Sequence, residues 1–339
     1  MTSIIWQSRT PVVNESFQKG ELINAANGGN AYDFHAASVL AEKFEVRIDS
    51  AAINNNNESL LNYGLRMRRQ KINADVLITE PYPLVFGSRL PGMKTVAMIH
   101  HLDERKKDIK HRLFSFLLKK KLRATDLVVT VSAYWEKYLH DIGCKNVKVI
   151  YNSFDPSAYA TDPETVLKFK IKYGFVADVP IIYIGNASRQ KGVYETYEAL
   201  KNYPYQLVMT GAKNNASDLP VKFLNLSRNE YISLLHASEV VVTLSTLTEG
   251  WNRIAHEAML CKTPVIGSGK GGMNELLTSG GQKIEDNPKL LADAVKSAIQ
   301  NRTMLGEKGF NYVSQYNLEY FKKEWIEAIN FLSQSKRVS

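Results

Sequence analysis

The feature that most constrains the fold is a regular alternation of short apolar runs with longer amphipathic stretches. Helical periodicity is clearest at Ala31–Phe44 and Tyr134–Ile142. Strands that alternate with helices of this length are typical of parallel sheets covered by helices on both faces. The sequence therefore predicts an α/β protein. Its apolar, β-branched runs predict ten strands, at Ile4–Trp6, Val76–Thr79, Thr95–Ile99, Leu127–Val131, Val147–Ile150, Ile181–Ile184, Gln206–Thr210, Val221–Leu224, Val240–Leu244 and Pro264–Ile266.

The length of 339 residues predicts two domains, because single hydrophobic cores stop growing at about 250–300 residues. Pro, Ser and Asp interrupt the pattern at 152–162, just before a new helix at Pro163. We predict two Rossmann-like, doubly wound parallel-sheet domains, at 1–158 and 159–317, that face each other across a cleft. The last helical stretch, within 318–339, is predicted to return to the first domain. Its aromatic stripe needs a surface to pack on, and consists of Tyr320, Phe321, Trp325 and Phe331.

The net charge of +9 is concentrated in the first half of the chain. Segment 104–123 carries nine Lys or Arg against two acids, and 66–71 adds four more cations. Apolar residues recur through 106–123 at helical spacing, which predicts an amphipathic helix with a basic rim. Two interpretations stay open: a helix packed on its sheet with a solvated outer face, or contact with an anionic membrane surface. Nucleic acid is not expected as a partner, because aromatic residues are not interleaved for base stacking.

Other sequence features narrow the function class. Cys144 and Cys261 are far apart and in no paired motif, so we expect buried thiols rather than a disulfide framework. No apolar run is long enough to span a membrane. The first residues lack the pattern of a secretory signal. We expect a cytoplasmic protein, with peripheral contact at the inner face of a membrane as the alternative location. No acidic cluster is typical of a metal site, and no P-loop spacing occurs.

The strongest motif is the segment Thr248–Glu275. Glu249 follows a predicted strand, and Glu257 lies just over one turn inside the next helix. Two spaced carboxylates suit the vicinal hydroxyls of a sugar, because each accepts from two O–H donors. Gly250 permits close approach of the backbone to a ligand. The backbone N–H groups of Trp251, Asn252 and Arg253 open the helix and so favour a phosphate.

Three further loops follow predicted strands or open helices, where ligands of parallel sheets bind. In Ile184–Gly192, the residues Gly185, Arg189 and Lys191 would place cations beside a diphosphate. Gly28 and Gly29 introduce the first long helix and allow backbone access. His100 comes directly after the strand Thr95–Ile99.

These motifs resemble the signature of the retaining GT-B glycosyltransferases of family 4. The match covers nearly the whole chain but is tight only over about 60 residues. An acid–Gly pair, a second Glu in Glu-Ala-Met, a Pro-Val-Ile run and a Gly-Gly-x-x-Glu run all occur in order. The matching residues are Glu249, Gly250, Glu257, Ala258, Met259, Pro264, Val265, Ile266, Gly271, Gly272 and Glu275.

The resemblance implies that Glu249, Lys191 and His100 are catalytic. Glu249 would contact the donor sugar, Glu257 the ribose, and Lys191 the leaving diphosphate. His100 would contact the donor sugar as well. Asn186 departs from the family by occupying the usual arginine position, so Arg189 or Arg253 is expected to supply that charge. His101 likewise replaces the acid that often follows the histidine.

By resemblance, the chain would move a hexose from a nucleotide-diphosphate sugar to an acceptor hydroxyl, with retention of configuration. It would need no metal and no cofactor beyond its donor. The acceptor would be a glycan or a lipid-linked glycan. Two alternatives stay open: a nucleotide-sugar 2-epimerase on the same fold, and a non-catalytic protein that binds sugar nucleotides. Neither the base, the sugar nor the acceptor follows from these motifs.

Overall fold

The chain folds into two compact units in a computed structural model, which describes all residues except 24–27, 53–57, 71, 88–91, 103–107, 212–215, 217 and 335–339. The first unit contains Met1–Ser153 and the chain from Leu318 onward, and the second contains Phe154–Asn317. Each unit has one six-stranded sheet in which all described pairings are parallel. The predicted α/β class with two doubly wound parallel sheets is confirmed.

The first unit alternates strands with helices. Its strands are β1 (Ser3–Ser8), β2 (Glu45–Ser50), β3 (Val76–Thr79), β4 (Lys94–Ile99), β5 (Leu127–Thr130) and β6 (Val147–Val149). Its helices are α1 (Pro11–Lys19), α2 (Gly28–Ala41), α3 (Leu60–Arg69), α4 (Pro81–Phe86), α5 (Ile109–Arg123) and α6 (Ala133–Asp141), with a last helix described below. The central strands are buried along their length, as expected for a sheet covered on both faces.

The second unit repeats the alternation. Its helices are α7 (Pro163–Lys172), α8 (Val193–Leu200), α9 (Arg228–Ala237), α10 (Arg253–Leu260), α11 (Gly272–Ser279), α12 (Leu291–Gln300) and α13 (Arg302–Val313). Its strands are β7 (Ile181–Asn186), β8 (Gln206–Thr210), β9 (Lys222–Phe223), β10 (Val240–Thr243), β11 (Val265–Gly267) and β12 (Lys283–Ile284).

All ten predicted strands are present, and the two that the sequence did not predict are edge strands. In β2, charged residues alternate with apolar ones, and only Ile48 is fully buried. The second missed strand, β12, has two residues and its lysine is exposed. Edge strands are half solvated, so they lack the continuous apolar runs that identify central strands.

The strand order of each sheet defines where a ligand can enter. The order in the first unit is β2-β1-β3-β4-β5-β6, and in the second it is β12-β11-β10-β7-β8-β9. The crossovers therefore change direction between β1 and β3 in one sheet and between β7 and β10 in the other. Doubly wound sheets bind ligands outside the carboxyl ends of the strands at such a switch point.

The last helix, α14 (Leu318–Gln334), packs on the first unit as predicted. The Trp325 ring lies 5.4 Å from the Trp6 ring, and the Phe321 ring lies 5.0 Å from Tyr32. Lys148 forms an ion pair with Glu324 at 3.0 Å. The aromatic stripe does this packing except for Phe331, which remains 47% exposed.

Candidate active site

The loops after β7 and β10 meet at the switch point of the second sheet. The ammonium of Lys191 lies 2.6 Å from Oε1 of Glu249. Glu249 is largely buried, and the lysine is about one-third exposed. The structure thus brings together the two residues that the sequence predicted to be catalytic in this unit, one from each loop. A cation and a carboxylate at the edge of the sheet can recognise a phosphate and a sugar hydroxyl side by side.

Two glycines with positive φ make this meeting possible. Gly192 has φ of 73° and packs against the Leu244 backbone, which leaves no space for a side chain. The amide of Thr246 donates to the Gln190 carbonyl at 2.9 Å, which joins the two loops. Gly271, with φ of 67°, lies equally close to the Glu249 backbone. A Cβ at Gly192 would push the loop that carries Lys191 away from the end of β10, and a Cβ at Gly271 would displace the backbone of Glu249.

Glu257 is buried in α10 and is surrounded by donors that the sequence analysis did not identify. Tyr159 OH donates to its Oε1 at 2.8 Å, and Arg228 donates to the same oxygen at 2.9 Å. Tyr231 OH donates to Oε2 at 3.1 Å. Burial, together with the charge of Glu257, raises the pKa of Tyr159 far above its usual range. Because a carboxylate has about four acceptor sites, about one remains for a further donor such as a ribose hydroxyl.

Neither Arg228 nor the tyrosines belong to a motif. Arg228 is the first residue of α9, and Tyr231 lies one turn later. Tyr159 ends a 3₁₀ turn, Pro156–Tyr159. The only sequence signal was the spacing of an arginine and an aromatic residue on one helix face, which is too common to identify a site.

At the start of α10, side-chain contacts within the protein limit which residues can bind a ligand. Asn252 caps the helix: its backbone is left-handed at φ of 85°, and its side chain accepts from Ala255 N at 3.0 Å. Trp251 is buried, and its indole N–H donates to Nδ1 of His256 at 3.0 Å. Burial and, to a lesser extent, the positive charge of Arg253 lower the pKa of His256 to about 3. The indole therefore belongs to the core, and Trp251 could reach a ligand only through its backbone.

The predicted arginines differ in their surroundings. The Arg253 guanidinium lies 4.3 Å from the centre of the Phe154 ring, and burial lowers its pKa. Arg189 is exposed beside Lys191 and stacks on the Tyr194 ring at 4.3 Å. Gly185 has φ of 93° within the bulged end of β7. Its neighbour Asn186 accepts a hydrogen bond from the Thr210 hydroxyl at 2.7 Å.

In the first unit, His100 follows β4 and contacts a buried carboxylate that the sequence analysis did not identify. Its Nε2 lies 2.9 Å from Oδ1 of Asp33, whose side chain is 3% exposed. The imidazole itself is 23% exposed and meets the Tyr32 ring edge-on at 5.0 Å. Asp33 lies in α2, which begins at Gly28 and Gly29. The preceding residues, 24–27, lie outside the described part of the chain.

A second acidic side chain, Glu80, follows β3 in the same unit. It accepts from the Ser8 hydroxyl at 2.8 Å and from the Arg9 amide at 3.1 Å. Burial and, to a lesser extent, the negative charge of Asp33 raise the pKa of Glu80 to about 7. Ser8 ends β1, and Glu80 and His100 follow β3 and β4, so this polar group lies at the switch point of the first sheet.

Comparison with known families accounts for most of the chain. The sequence model described as Glycosyl transferases group 1 matches residues 170–312, and that described as Glycosyltransferase Family 4 matches residues 37–158. The chain belongs to the family 4, group 1 glycosyltransferases. The two matched segments contain Lys191, Glu249, Glu257 and His100, the four side chains that the motifs had singled out.

Two curated proteins are distant relatives of this chain. An uncharacterized glycosyltransferase of Methanocaldococcus jannaschii is 25% identical over 213 residues, which cover 58% of this chain and 56% of the relative. A second from that organism is 28% identical over 149 residues, or 39% of this chain and 38% of the relative. The match thus spans about half or less of these relatives.

Solved structures share the GT-B fold along the whole of this family 4 chain. Sucrose-phosphate synthase from Thermosynechococcus elongatus has a TM-score of 0.77 at 17% identity, with 99% of this chain and 100% of that chain covered. HepE of Anabaena in complex with UDP has a TM-score of 0.74 at 17% identity, with 98% of this chain and 100% of that chain covered. WaaG, a glycosyltransferase involved in lipopolysaccharide biosynthesis, has a TM-score of 0.70 at 13% identity, with 98% of this chain and 100% of that chain covered. At these identities the likeness establishes the fold.

Two kinds of feature are absent from the part of the chain that the structure describes. Within that part, no group of three His, Cys, Asp or Glu side chains is arranged to hold a metal ion. No described helix is long and apolar enough to cross a bilayer. The predicted independence from metal remains a prediction, because neither observation tests it.

Proposed function

We propose that this chain transfers a hexose from a nucleotide-diphosphate sugar to an acceptor hydroxyl with retention of configuration, without a metal or other cofactor. The observation that carries the proposal is the Lys191–Glu249 pair at the switch point of the second sheet. Family membership supports the activity. The complexes of HepE with UDP and with UDP-glucose support a nucleotide sugar as the donor and make UDP the first base to test.

In the proposed reaction, negative charge grows on the diphosphate as it leaves. Lys191 and Arg189, both at the edge of the loop after β7, would stabilise that charge. Glu249 would accept from hydroxyls of the donor sugar, which positions the sugar relative to the cations. The departing diphosphate would take the acceptor proton on the same face, so this scheme needs no enzymic nucleophile.

The observations favour transfer over the two alternatives. A 2-epimerase needs acid and base groups at the sugar carbon, whereas both predicted catalytic side chains of the second unit are paired with each other. Against a non-catalytic binding protein stands the match of most of the chain to two glycosyltransferase family models. Interconversion of donor sugars without an acceptor would support the epimerase instead.

We also propose that α5 rests on an anionic membrane surface, which suits a lipid-linked acceptor. Four apolar side chains of this helix are exposed, with Ile109 at 84% and Phe116 at 66%. They alternate with a basic rim: Lys110, Arg112, Lys119, Lys120, Lys121 and Arg123. A helix packed on its sheet with only a solvated outer face would not expose these apolar groups together. Apolar insertion and attraction to anionic lipid act together on such a helix.

The test of the donor site is thermal unfolding of the full chain with UDP, GDP, ADP and their hexose conjugates. A ligand at about 100 times its dissociation constant adds roughly 2.7 kcal/mol to the free energy of unfolding. We expect a rise in Tm of several degrees with one nucleoside diphosphate, lost in Lys191→Ala. The matched control is Lys168→Ala, which removes an exposed lysine paired with Glu164 at 2.7 Å in the same unit.

The outcomes are distinct. A shift that disappears in Lys191→Ala but persists in Lys168→Ala supports the proposed site. A shift retained in Lys191→Ala overturns the role of Lys191 and leaves the base assignment intact. No shift with any nucleotide, in the presence of anionic vesicles as well, overturns the nucleotide-sugar proposal.

A further inference from the structure

The contact between His100 and Asp33 bears on which nitrogen of the imidazole ring carries the proton. A carboxylate can only accept hydrogen bonds, so the ring nitrogen that faces Asp33 must carry the proton. That nitrogen is Nε2, at 2.9 Å from Oδ1 of the aspartate. In the neutral ring the other nitrogen, Nδ1, is then an acceptor. A histidine whose tautomer is set by a buried carboxylate is the arrangement that lets imidazole receive a hydrogen bond or a proton from a hydroxyl.

The aspartate is well placed to keep this role. Its side chain is 3% exposed and lies on α2, which is packed against the last helix of the chain through Tyr32 and Phe321. Tyr32 is buried, and its ring meets the imidazole in a T-shaped contact at 5.0 Å. The partly exposed imidazole therefore contacts two neighbouring residues of one helix, Tyr32 and Asp33.

Other charged groups near Asp33 come from the neighbouring strand ends. Glu80, after β3, is the second carboxyl group of the cluster. Arg9, after β1, donates its amide to Glu80, while its guanidinium lies over the Tyr82 ring at 3.9 Å. The Arg9 guanidinium is thereby held by an aromatic ring, and among the described side-chain contacts Asp33 is paired with His100.

We infer that Asp33 is a positioning residue that holds His100 in its Nε2–H tautomer, so that Nδ1 accepts from a hydroxyl of the sugar substrate. The inference rests on the proposed function, because it takes His100 as a contact of the sugar. It assigns no bond-making step to Asp33. The aspartate acts through His100, from the switch point of the first sheet.

The first readout is the tautomer itself, measured without any substrate. The full chain is labelled with 15N-histidine, and long-range 1H–15N spectra are recorded, with His100→Gln identifying the His100 signals among seven histidines. We expect the wild-type signals to report protonated Nε2 and unprotonated Nδ1. A wild-type His100 with its proton on Nδ1 overturns the inference, and no variant is needed for that result.

The second readout compares Asp33→Asn with Asp126→Asn. An asparagine can donate as well as accept, so Asp33→Asn should give a mixture of tautomers. It should also lower kcat/KM about tenfold or more, as loss of a supporting carboxylate does elsewhere, while the affinity for the free nucleoside diphosphate stays unchanged. Asp126 lies at the opposite end of the strands, accepts from Thr95 N at 2.9 Å and is the matched control; its variant should keep the wild-type tautomer.

Failure of this inference is separable from failure of the proposed function. Wild-type transfer activity with an unchanged tautomer and unchanged kcat/KM in Asp33→Asn overturns the role of Asp33 alone. Absence of nucleotide binding and of transfer in the wild type overturns the proposed function. In that case the tautomer spectrum still decides whether Asp33 sets the state of His100.

Discussion

Arg228 donates to the Glu257 carboxylate at 2.9 Å, and this pair joins the start of α9 to the interior of α10. The arginine is about half exposed, whereas the carboxylate is buried. Two tyrosine hydroxyls bind the same carboxylate, so its charge is held by three donors before any ligand arrives. The predicted contact of Glu257 with a ribose would therefore have to fit around an existing network.

We predict that Arg228 and Glu257 are coupled in stability. In a double-mutant cycle of Arg228→Ala and Glu257→Gln, the coupling should be about 1–2 kcal/mol, because loss of one partner leaves a buried carboxylate less well paired but half-exposure of the arginine screens the effect. Urea unfolding of the four proteins measures it. The exposed Lys168 and Glu164 pair provides the control cycle and should be additive. An additive result for Arg228 and Glu257 as well would contradict the prediction.

Glu80 should make the stability of the protein depend on pH in a defined direction. Its pKa is raised from 4.5 to about 7 in the folded chain by burial and then by Asp33. Below pH 4.5 both states hold the proton, and Glu80 contributes nothing. As the pH rises towards 7, the unfolded chain ionises first, so the free energy of unfolding falls, by about 3 kcal/mol at most. Well above pH 7, Glu80 is ionised in both states, and the free energy of unfolding stays lower by this full amount.

The measurement is the difference in unfolding free energy between Glu80→Gln and wild type from pH 4.5 to 8. The glutamine keeps an oxygen that can accept from Ser8 and Arg9 but cannot ionise. We therefore expect the variant to gain stability relative to wild type as the pH rises, levelling off above 7. Glu45→Gln, at an exposed site on β2, should give a flat difference. A flat profile for Glu80→Gln too would show that Glu80 ionises as in the unfolded chain.

The exposed apolar face of α5 should govern attachment to anionic vesicles. We expect the wild type to cosediment with vesicles that contain phosphatidylglycerol at low salt and not with phosphatidylcholine alone. Each basic residue near an anionic surface contributes roughly 1 kcal/mol, and salt screens this attraction. The double change Leu113→Ser and Phe116→Ser should reduce binding at least tenfold, by removing two exposed apolar groups.

The control for vesicle binding carries the same chemistry elsewhere. Leu167 and Ile171 are also exposed, on α7 of the second unit, and Leu167→Ser with Ile171→Ser should leave binding unchanged. No cosedimentation of the wild type at low salt would exclude the proposed surface. Equal loss in both double variants would mean that general hydrophobicity, rather than α5, governs attachment.

The parts of the fold that the sequence predicted are those whose physics is local. A buried central strand such as Val76–Thr79 is an uninterrupted apolar run, and it can be recognised without knowledge of its neighbours. The return of the last helix was predicted because Phe321 and Trp325 need burial somewhere. Edge strand β2 was not predicted, because its alternating charges depend on which face the sheet leaves in water.

The same distinction between local and long-range determinants applies to the residues of the candidate site. Lys191 and Glu249 follow strands within recognisable motifs, so their meeting could be expected from the rule that ligands bind at strand ends. Asp33 and Arg228 contact residues that are distant in sequence, His100 and Glu257, and no sequence motif indicates these pairings. Trp251 shows the converse: it stands inside a strong motif, yet packing against His256 takes its side chain away from any ligand.

The position of α14 has a consequence for the order in which the protein matures. The chain leaves the first unit at Ser153 and returns to it at Leu318, so the second unit is one unbroken stretch and the first is not. Glu42 and Lys322 form an ion pair although they are 280 positions apart. During synthesis the first sheet emerges early, but the surface around Trp6 and Tyr32 stays uncovered until the final helix has left the ribosome. The unit that begins to be translated first can thus be completed only after the whole second unit has been translated.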